Sequence, residues 1–211
     1  MQRTLICVSH CDGAGGDDVA RLVAHRLGLR YVDEEIISMA AEKAGAAPQL
    51  VADAEQRQRL LRRVLDELGA TGAAAMVGSA GVAPPVPHEP PPPRGDELRR
   101  FIADAIEAVA SEGNVVIGAH AASFALGARD DVLRVFVTAP GPTRARRVAR
   151  EQGIKASEAE QQIRATDKTR ADYLRRFYAI DREGPTHYDL VVNTDGLGPD
   201  KAASIVVSAA T

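Results

Sequence analysis

Tryptophan is absent from this 211-residue chain, and aromatic residues make up only 4% of it. A core must therefore be assembled from Ala, Val, Leu and Ile, and a 45% hydrophobic content is enough to assemble one. No apolar run approaches the roughly 20 residues that span a bilayer. Met1–Thr4 leads into a short apolar stretch without the core or cleavage site of a secretory signal. The net charge of −3 excludes a strongly basic nucleic-acid binder on composition, although arginines concentrate locally. Cysteine is scarce as well: there is Cys7, which lies in an apolar run and reads as a buried reduced thiol, and Cys11 four residues on. These absences predict one cytoplasmic domain over residues 1–211, with neither a membrane nor a nucleic acid as partner.

What is present alternates. Leu5-Ile6-Cys7-Val8 is a short apolar run ending at Ser9, and Gly13-Ala14-Gly15-Gly16 follows. Val19, Leu22, Val23, Arg26 and Leu27 then trace an amphipathic helix that Gly28 stops. Strand, glycine loop and helix together form the unit that presents backbone N–H groups to a phosphate. Tyr31-Val32-Asp33 reads as a second strand, and helical patterning runs from Glu34 to Ala44 and from about Pro48 to Leu68. Later strands are expected at Val115–Gly118, Val132–Val137 and Leu190–Asn193. Helices are expected over Glu97–Val109, Pro142–Gln152, Ser157–Ala165, Asp167–Tyr178 and Pro199–Ala209. The alternation predicts a parallel α/β sheet with ligands at the carboxyl ends of its strands.

The segment 69–94 breaks this rhythm. It becomes Ala/Gly/Val-rich and then runs Pro84-Pro85-Val86-Pro87-His88-Glu89-Pro90-Pro91-Pro92-Pro93. Prolines lack the N–H that helices and sheets need, so a mobile spacer is the leading reading and a PxxP ligand the other.

A full Walker A loop has Lys followed by Ser or Thr after its last glycine. Here Gly16 stands where the Lys belongs and Asp17 where the hydroxyl belongs. The surrounding stretches are nevertheless specific. They are Gly13-Ala14-Gly15-Gly16, Leu27-Gly28-Leu29-Arg30-Tyr31-Val32-Asp33 and Val116-Ile117-Gly118. Arg144-Ala145-Arg146-Arg147-Val148, Asp167-Lys168-Thr169-Arg170-Ala171-Asp172-Tyr173 and Tyr188-Asp189-Leu190-Val191-Val192-Asn193-Thr194 complete the set. In this order, and over almost the whole chain, they resemble the cytidylate-kinase-like family of P-loop nucleoside-monophosphate kinases.

The resemblance implies a doubly wound parallel sheet of about five strands with helices on both faces. It implies a monophosphate-binding insertion over residues 34–95 and an arginine-bearing lid over 144–172. ATP and Mg²⁺ are the implied cofactors, and nucleotides the implied partners. Phosphate binding falls to Gly13, Ala14, Gly15, Gly16, Asp17 and Asp18, substrate contact to Asp33 and Asp167, and phosphoryl transfer to Arg144, Arg147 and Arg170. The family's usual arginine after the glycines is Asp17 here, and its Gly-Arg pair after the third strand is Gly118-Ala119. Two unit charges of like sign at about 4 Å repel by roughly 4 kcal/mol at a surface-like dielectric, so Asp17 opposes a phosphate in the same seat.

Each candidate has a plainer reading beside the functional one. The row Arg144, Arg147, Arg150 clamps a polyphosphate or forms a solvated face pairing with Glu151, Glu158 and Glu160. Asp33 contacts a nucleotide, caps the following helix, or both. Asp167 orients lid arginines by ion pairing. In a P-loop kinase sheet, the first and third strands are neighbours. His10 and His120 should then emerge at one edge near Asp12 and Asp17, either as metal ligands or as groups closing strand ends.

Two functions stand. One is ATP-dependent phosphorylation of a nucleoside monophosphate, CMP or dCMP first. The other is a non-catalytic, nucleotide-binding or regulatory relative. The basic groups missing at Gly16, Asp17 and Ala119 favour the second, and the C-terminal motifs favour the first.

Overall fold

The computed structural model describes residues 4–43, 95–118 and 121–211. The expected segment 69–94, the helix over Pro48–Leu68, most of the insertion, Ala119 and His120 lie outside the described residues.

Five strands form one parallel sheet in the order β2-β3-β1-β4-β5: β1 Leu5–His10, β2 Arg30–Val32, β3 Val115–Gly118, β4 Val132–Thr138 and β5 Leu190–Asn193. The helices, in chain order, are α1 Gly16–Leu27, α2 Glu34–Lys43, α3 Gly95–Glu112, α4 Ala122–Ala125, α5 Gly141–Gln152, α6 Ala156–Tyr178 and α7 Pro199–Ala210. β1 is the central strand and pairs with both β3 and β4, which is why Leu5 through Ser9 are all buried. A parallel strand covered on both faces reads as a continuous apolar run rather than an alternation, and β1 does so.

Successive side chains of β1 feed opposite cores. Leu5 and Cys7 join Val115 and Ile117 against α2 and α3, where Ile36, Ile102 and Ile106 are sealed from solvent. Ile6 and Val8 join Val116, Val135 and Val137 against α1 and α7, with Val19, Val23 and Val206. A third, smaller cluster of Ala145, Val148, Ala159 and Ile163 holds α5 to α6. Valine, isoleucine and alanine thus carry the packing, as the shortage of aromatics requires.

The described residues depart from the expected elements in the following places, besides a short 3-10 turn at Pro185–His187. Residues 156–178 form one helix instead of two, because neither Gly nor Pro interrupts the join. Thr166 and Thr169 there return their hydroxyls to the carbonyls of Gln162 and Ala165 at 2.9 Å each. The short α4 was also not anticipated; it opens at Ala121, whose φ of 54° is left-handed. That conformation is uncommon for a residue with a Cβ, so a propensity reading passes over it. Among the described residues, no helix is long and apolar enough to cross a membrane.

Candidate phosphate-binding site

The central strand delivers its chain end to the loop Cys11–Gly15, and α1 begins directly after it. Gly13 has φ 74° and sits against α5 so closely that a Cβ there would lie 2.8 Å from the Arg144 carbonyl oxygen. Glycine is required at that position on both counts. Gly15, also at φ 74°, is the N-cap of α1, and the first intrahelical bond runs from Val19 N–H to its carbonyl. The N–H groups of Gly16, Asp17 and Asp18 therefore precede the helical ladder, at the helix start where backbone donors meet an anion.

The loop is held from outside by two arginines of α5. Arg144 is buried, and its Nη1 donates to the Asp12 carbonyl at 3.2 Å while its Nε donates to the Ala139 carbonyl. Its two terminal nitrogens also donate to both Asp167 oxygens, at 3.0 and 2.6 Å. The bond to Asp167 raises the Arg144 pKa above its ordinary value, against the opposing pull of burial. Arg147 Nη1 reaches the Gly13 and Ala14 carbonyls at 3.4 and 3.3 Å, and Nη2 donates to the Thr194 carbonyl at 2.7 Å. The Thr194 hydroxyl donates to the Ala14 carbonyl at 2.7 Å. These bonds fix the carbonyls of residues 12 to 14, and Ala14 N–H closes the turn on the Cys11 carbonyl at 3.0 Å.

A cleft of about 430 Å³ lies against this loop, bordered by Gly13, Gly15, the cations Arg147 and Arg150 and the carboxylates Asp18 and Glu151. That volume falls within the range of small-molecule sites.

Arg170 has a carboxylate partner of its own, while its charge also acts on the His10 ring and the Cys11 thiol of the loop. It pairs with Glu183 through two hydrogen bonds of 2.7 and 2.6 Å, and its guanidinium lies 5.8 Å from the Phe136 ring centre. Burial pushes the Glu183 carboxyl up, and Arg170 more than offsets this, holding it below the usual range. The Tyr188 hydroxyl donates to the same carboxylate, and its ring stacks on Phe136 at 4.9 Å. Burial raises the Tyr188 pKa, so this hydroxyl keeps its proton.

At the mouth of the loop, His10 Nε2 lies 3.0 Å from Asp17 Oδ1. Across the sheet edge, the Tyr31 hydroxyl donates to Asp33 at 3.1 Å and covers Gly118, where a Cβ would come 2.7 Å from that hydroxyl. The Asp33 carbonyl accepts Ile36 N–H at the start of α2.

The sequence candidates thus fall into three groups. Gly13 to Asp18, Arg144, Arg147 and Asp167 come together around the loop. Asp33 stands across the sheet edge, and Arg170 sits on the side of Phe136. Glu183, Thr194 and Tyr188 take part without having been singled out, although Tyr188 and Thr194 belong to the motif that ends in β5. Among the described residues, no group of three or more His, Cys, Asp and Glu is placed to hold a metal ion. The shared His10–His120 metal site falls outside the described residues because His120 does.

The sequence profile of the cytidylate kinase-like family matches residues 5–196. The chain belongs to that family. It is 27% identical over 209 residues to a cytidylate kinase of Ignicoccus hospitalis, covering 96% of both proteins. A cytidylate kinase of Thermococcus sibiricus is 39% identical over 100 residues, which is 47% of this chain and 51% of that protein. Among solved structures, a protein from Eubacterium ventriosum superposes with a TM-score of 0.66 at 14% identity, covering 98% and 97% of the two chains. Shikimate kinase from Bacteroides thetaiotaomicron superposes at 0.52 with 14% identity, covering 97% and 96%. At that identity the structural likeness shows the fold: this cytidylate kinase-like chain has the architecture of P-loop kinases.

Proposed function

We propose that this kinase-like protein transfers the γ-phosphoryl group of ATP to a nucleoside monophosphate, CMP or dCMP, in the cytoplasm. The observation that carries the reading is the glycine loop at the end of the central strand. Arg144 and Arg147 hold its carbonyls, and the cleft beside it is bordered by Gly13, Gly15 and Arg147. In the reaction, the bond between the γ-phosphorus and the β,γ-bridging oxygen breaks. A new bond forms from an acceptor phosphate oxygen, giving ADP and a nucleoside diphosphate. Such transfer depends on positioning and on neutralising phosphate charge more than on covalent help from the protein.

Backbone N–H groups of Gly15 to Asp18 would carry the triphosphate, and Arg150 borders the same cleft. When bound with the nucleotide, Mg²⁺ supplies charge neutralisation, since it is commonly held largely by substrate phosphates. Asp33 and Asp167 are the acceptor-side residues in this reading, with Arg144 and Arg170 as cations that can exchange a carboxylate partner for a phosphate. The free thiols Cys7 and Cys11 fit a reducing compartment.

One set of observations favours a second reading. Arg144, Arg170 and His10 each already face a carboxylate, as expected of a non-catalytic relative that binds nucleotide for regulation. Direct measurement of ADP release with CMP, dCMP, UMP and AMP as acceptors separates the two. The catalytic reading expects Mg²⁺-dependent turnover with CMP or dCMP. ATP binding in calorimetry without ADP release for any acceptor would establish the other.

A further inference from the structure

The position that holds lysine in a Walker A loop is Gly16, and something else fills the space of its missing side chain. A Cβ built on Gly16 would overlap the Cβ and imidazole ring of His10. His10 comes from the end of β1, six residues earlier, and its ring lies over the first turn of α1. Nε2 meets Asp17 Oδ1 at 3.0 Å, and Nδ1 lies 3.4 Å from the Cys11 carbonyl. The His10 side chain is 17% exposed and that of Asp17 52%.

We infer that His10 is the phosphate-binding cation of this loop, standing in from β1 for the side chain that residue 16 lacks. The Asp17 carboxylate occupies the place on Nε2 that a phosphate oxygen takes when ligand binds. This inference rests on the proposed phosphate site and assigns the charge within it.

Three observations support the assignment. The ring and a residue-16 side chain compete for one volume, so the two cations are alternatives, not partners. Asp17 is more than half exposed, so its short side chain can turn to solvent through an ordinary rotamer change. The electrostatics also favour the charged ring. Burial pulls the imidazole toward neutrality, and Asp17 together with the Cys11 carbonyl overcomes that pull and raises its pKa above the ordinary value. Arg170, from α6, is the charge that acts in the opposite sense.

The test uses the full chain with two probes, ATP and inorganic tripolyphosphate, titrated by calorimetry without Mg²⁺ at several pH values. The wild type should bind both, and His10→Asn should bind about tenfold more weakly, the scale of one charge-assisted hydrogen bond. Affinity of the wild type should fall from about pH 6 to about pH 9 more steeply than that of His10→Asn. The ligand's own titration is common to both proteins and cancels in the comparison. Asp17→Asn should bind more tightly than wild type. Gly16→Lys alone should gain nothing, because it meets the His10 ring, whereas His10→Ala with Gly16→Lys should recover the wild-type level and lose the steep pH dependence.

Equal affinities and parallel pH profiles for wild type and His10→Asn would overturn the assignment and leave the phosphate site standing. Failure of the wild type to bind either probe would overturn both. Should His10→Asn melt below the assay temperature, Asp17→Asn decides alone: an affinity at or below wild type overturns the inference.

Discussion

On the outer side of the glycine loop, Arg144 and Arg147 donate to the carbonyls of Asp12, Gly13 and Ala14. On the side of the loop mouth, α1 opens with Asp17 and Asp18, and His10 reaches in from β1 to meet Asp17. The two sides differ in burial as much as in charge. Arg144 is 7% exposed and Asp17 side-chain exposure is 52%. A buried, multiply bonded arginine fixes the shape of the loop, whereas an exposed carboxylate at a helix start adjusts what the loop can bind. Replacing Arg144 should therefore register chiefly in stability, and replacing Asp17 in ligand affinity.

The largest effect is expected at Arg144. Replacing it with Ala removes bonds to Asp12, Ala139 and Asp167 and leaves an Asp167 carboxylate that is 40% exposed. Breaking one partner of a buried pair costs about 3–5 kcal/mol, and the exposure of Asp167 places this case near the lower end. For a domain of this size, that lowers Tm by about 6–12 °C. Asp167→Asn should cost a similar amount, because it strands the buried guanidinium. Scanning calorimetry of both variants is the check. Shifts below about 2 °C in each would show that α5 holds the loop without this pair.

Next in size is the Arg170–Glu183 pair, whose side chains are 21% and 15% exposed. Glu183→Gln should cost about 2–3 kcal/mol at neutral pH, moderated because Gln can still accept the Tyr188 hydroxyl. The pH dependence has a definite sign. The folded-state pKa of Glu183 lies below its unfolded value. Its contribution is therefore fully present above the unfolded carboxylate value and is lost as pH falls through the folded one. The stability gap between wild type and Glu183→Gln should close on acidification. A gap that stays constant or widens in acid would mean that the pair is not what holds Tyr188 and Phe136 together.

The same contrast runs through what the amino-acid sequence discloses by itself. β1 and the loop were legible because an apolar run followed by glycines has few other solutions. The parallel sheet followed from the alternation of strand-like and helical runs. The pairings of the arginines were not legible to the same degree. Asp167 was a candidate partner for the lid arginines, but Glu183 is one carboxylate among many, and only the fold brings it to Arg170. Nor could sequence show His10 over Gly16, since a side chain lying on a distant Cα leaves no periodic trace. The glycine at 16 was the one available sign, and it read as a loss of lysine instead of as room for a ring.

The smallest stability effect, and the sharpest use of the comparison, is expected at Asp17. Asp17→Asn removes a first-turn carboxylate, worth about 0.3–1 kcal/mol to the helix dipole, and a part-buried ion pair with His10 worth about 1 kcal/mol. Only the second part depends on pH near neutrality. The His10 pKa is raised in the folded chain, so the pair's contribution is fully present below the unfolded histidine value and is lost as pH rises through the folded one. The difference in Tm between wild type and Asp17→Asn should accordingly shrink from about pH 6 to about pH 9, leaving the dipole part alone. Denaturation of both proteins at matched ionic strength measures it. A difference independent of pH would detach His10 from Asp17 in solution, whereas a Tm loss as large as that of Arg144→Ala would erase the distinction between the loop's two sides.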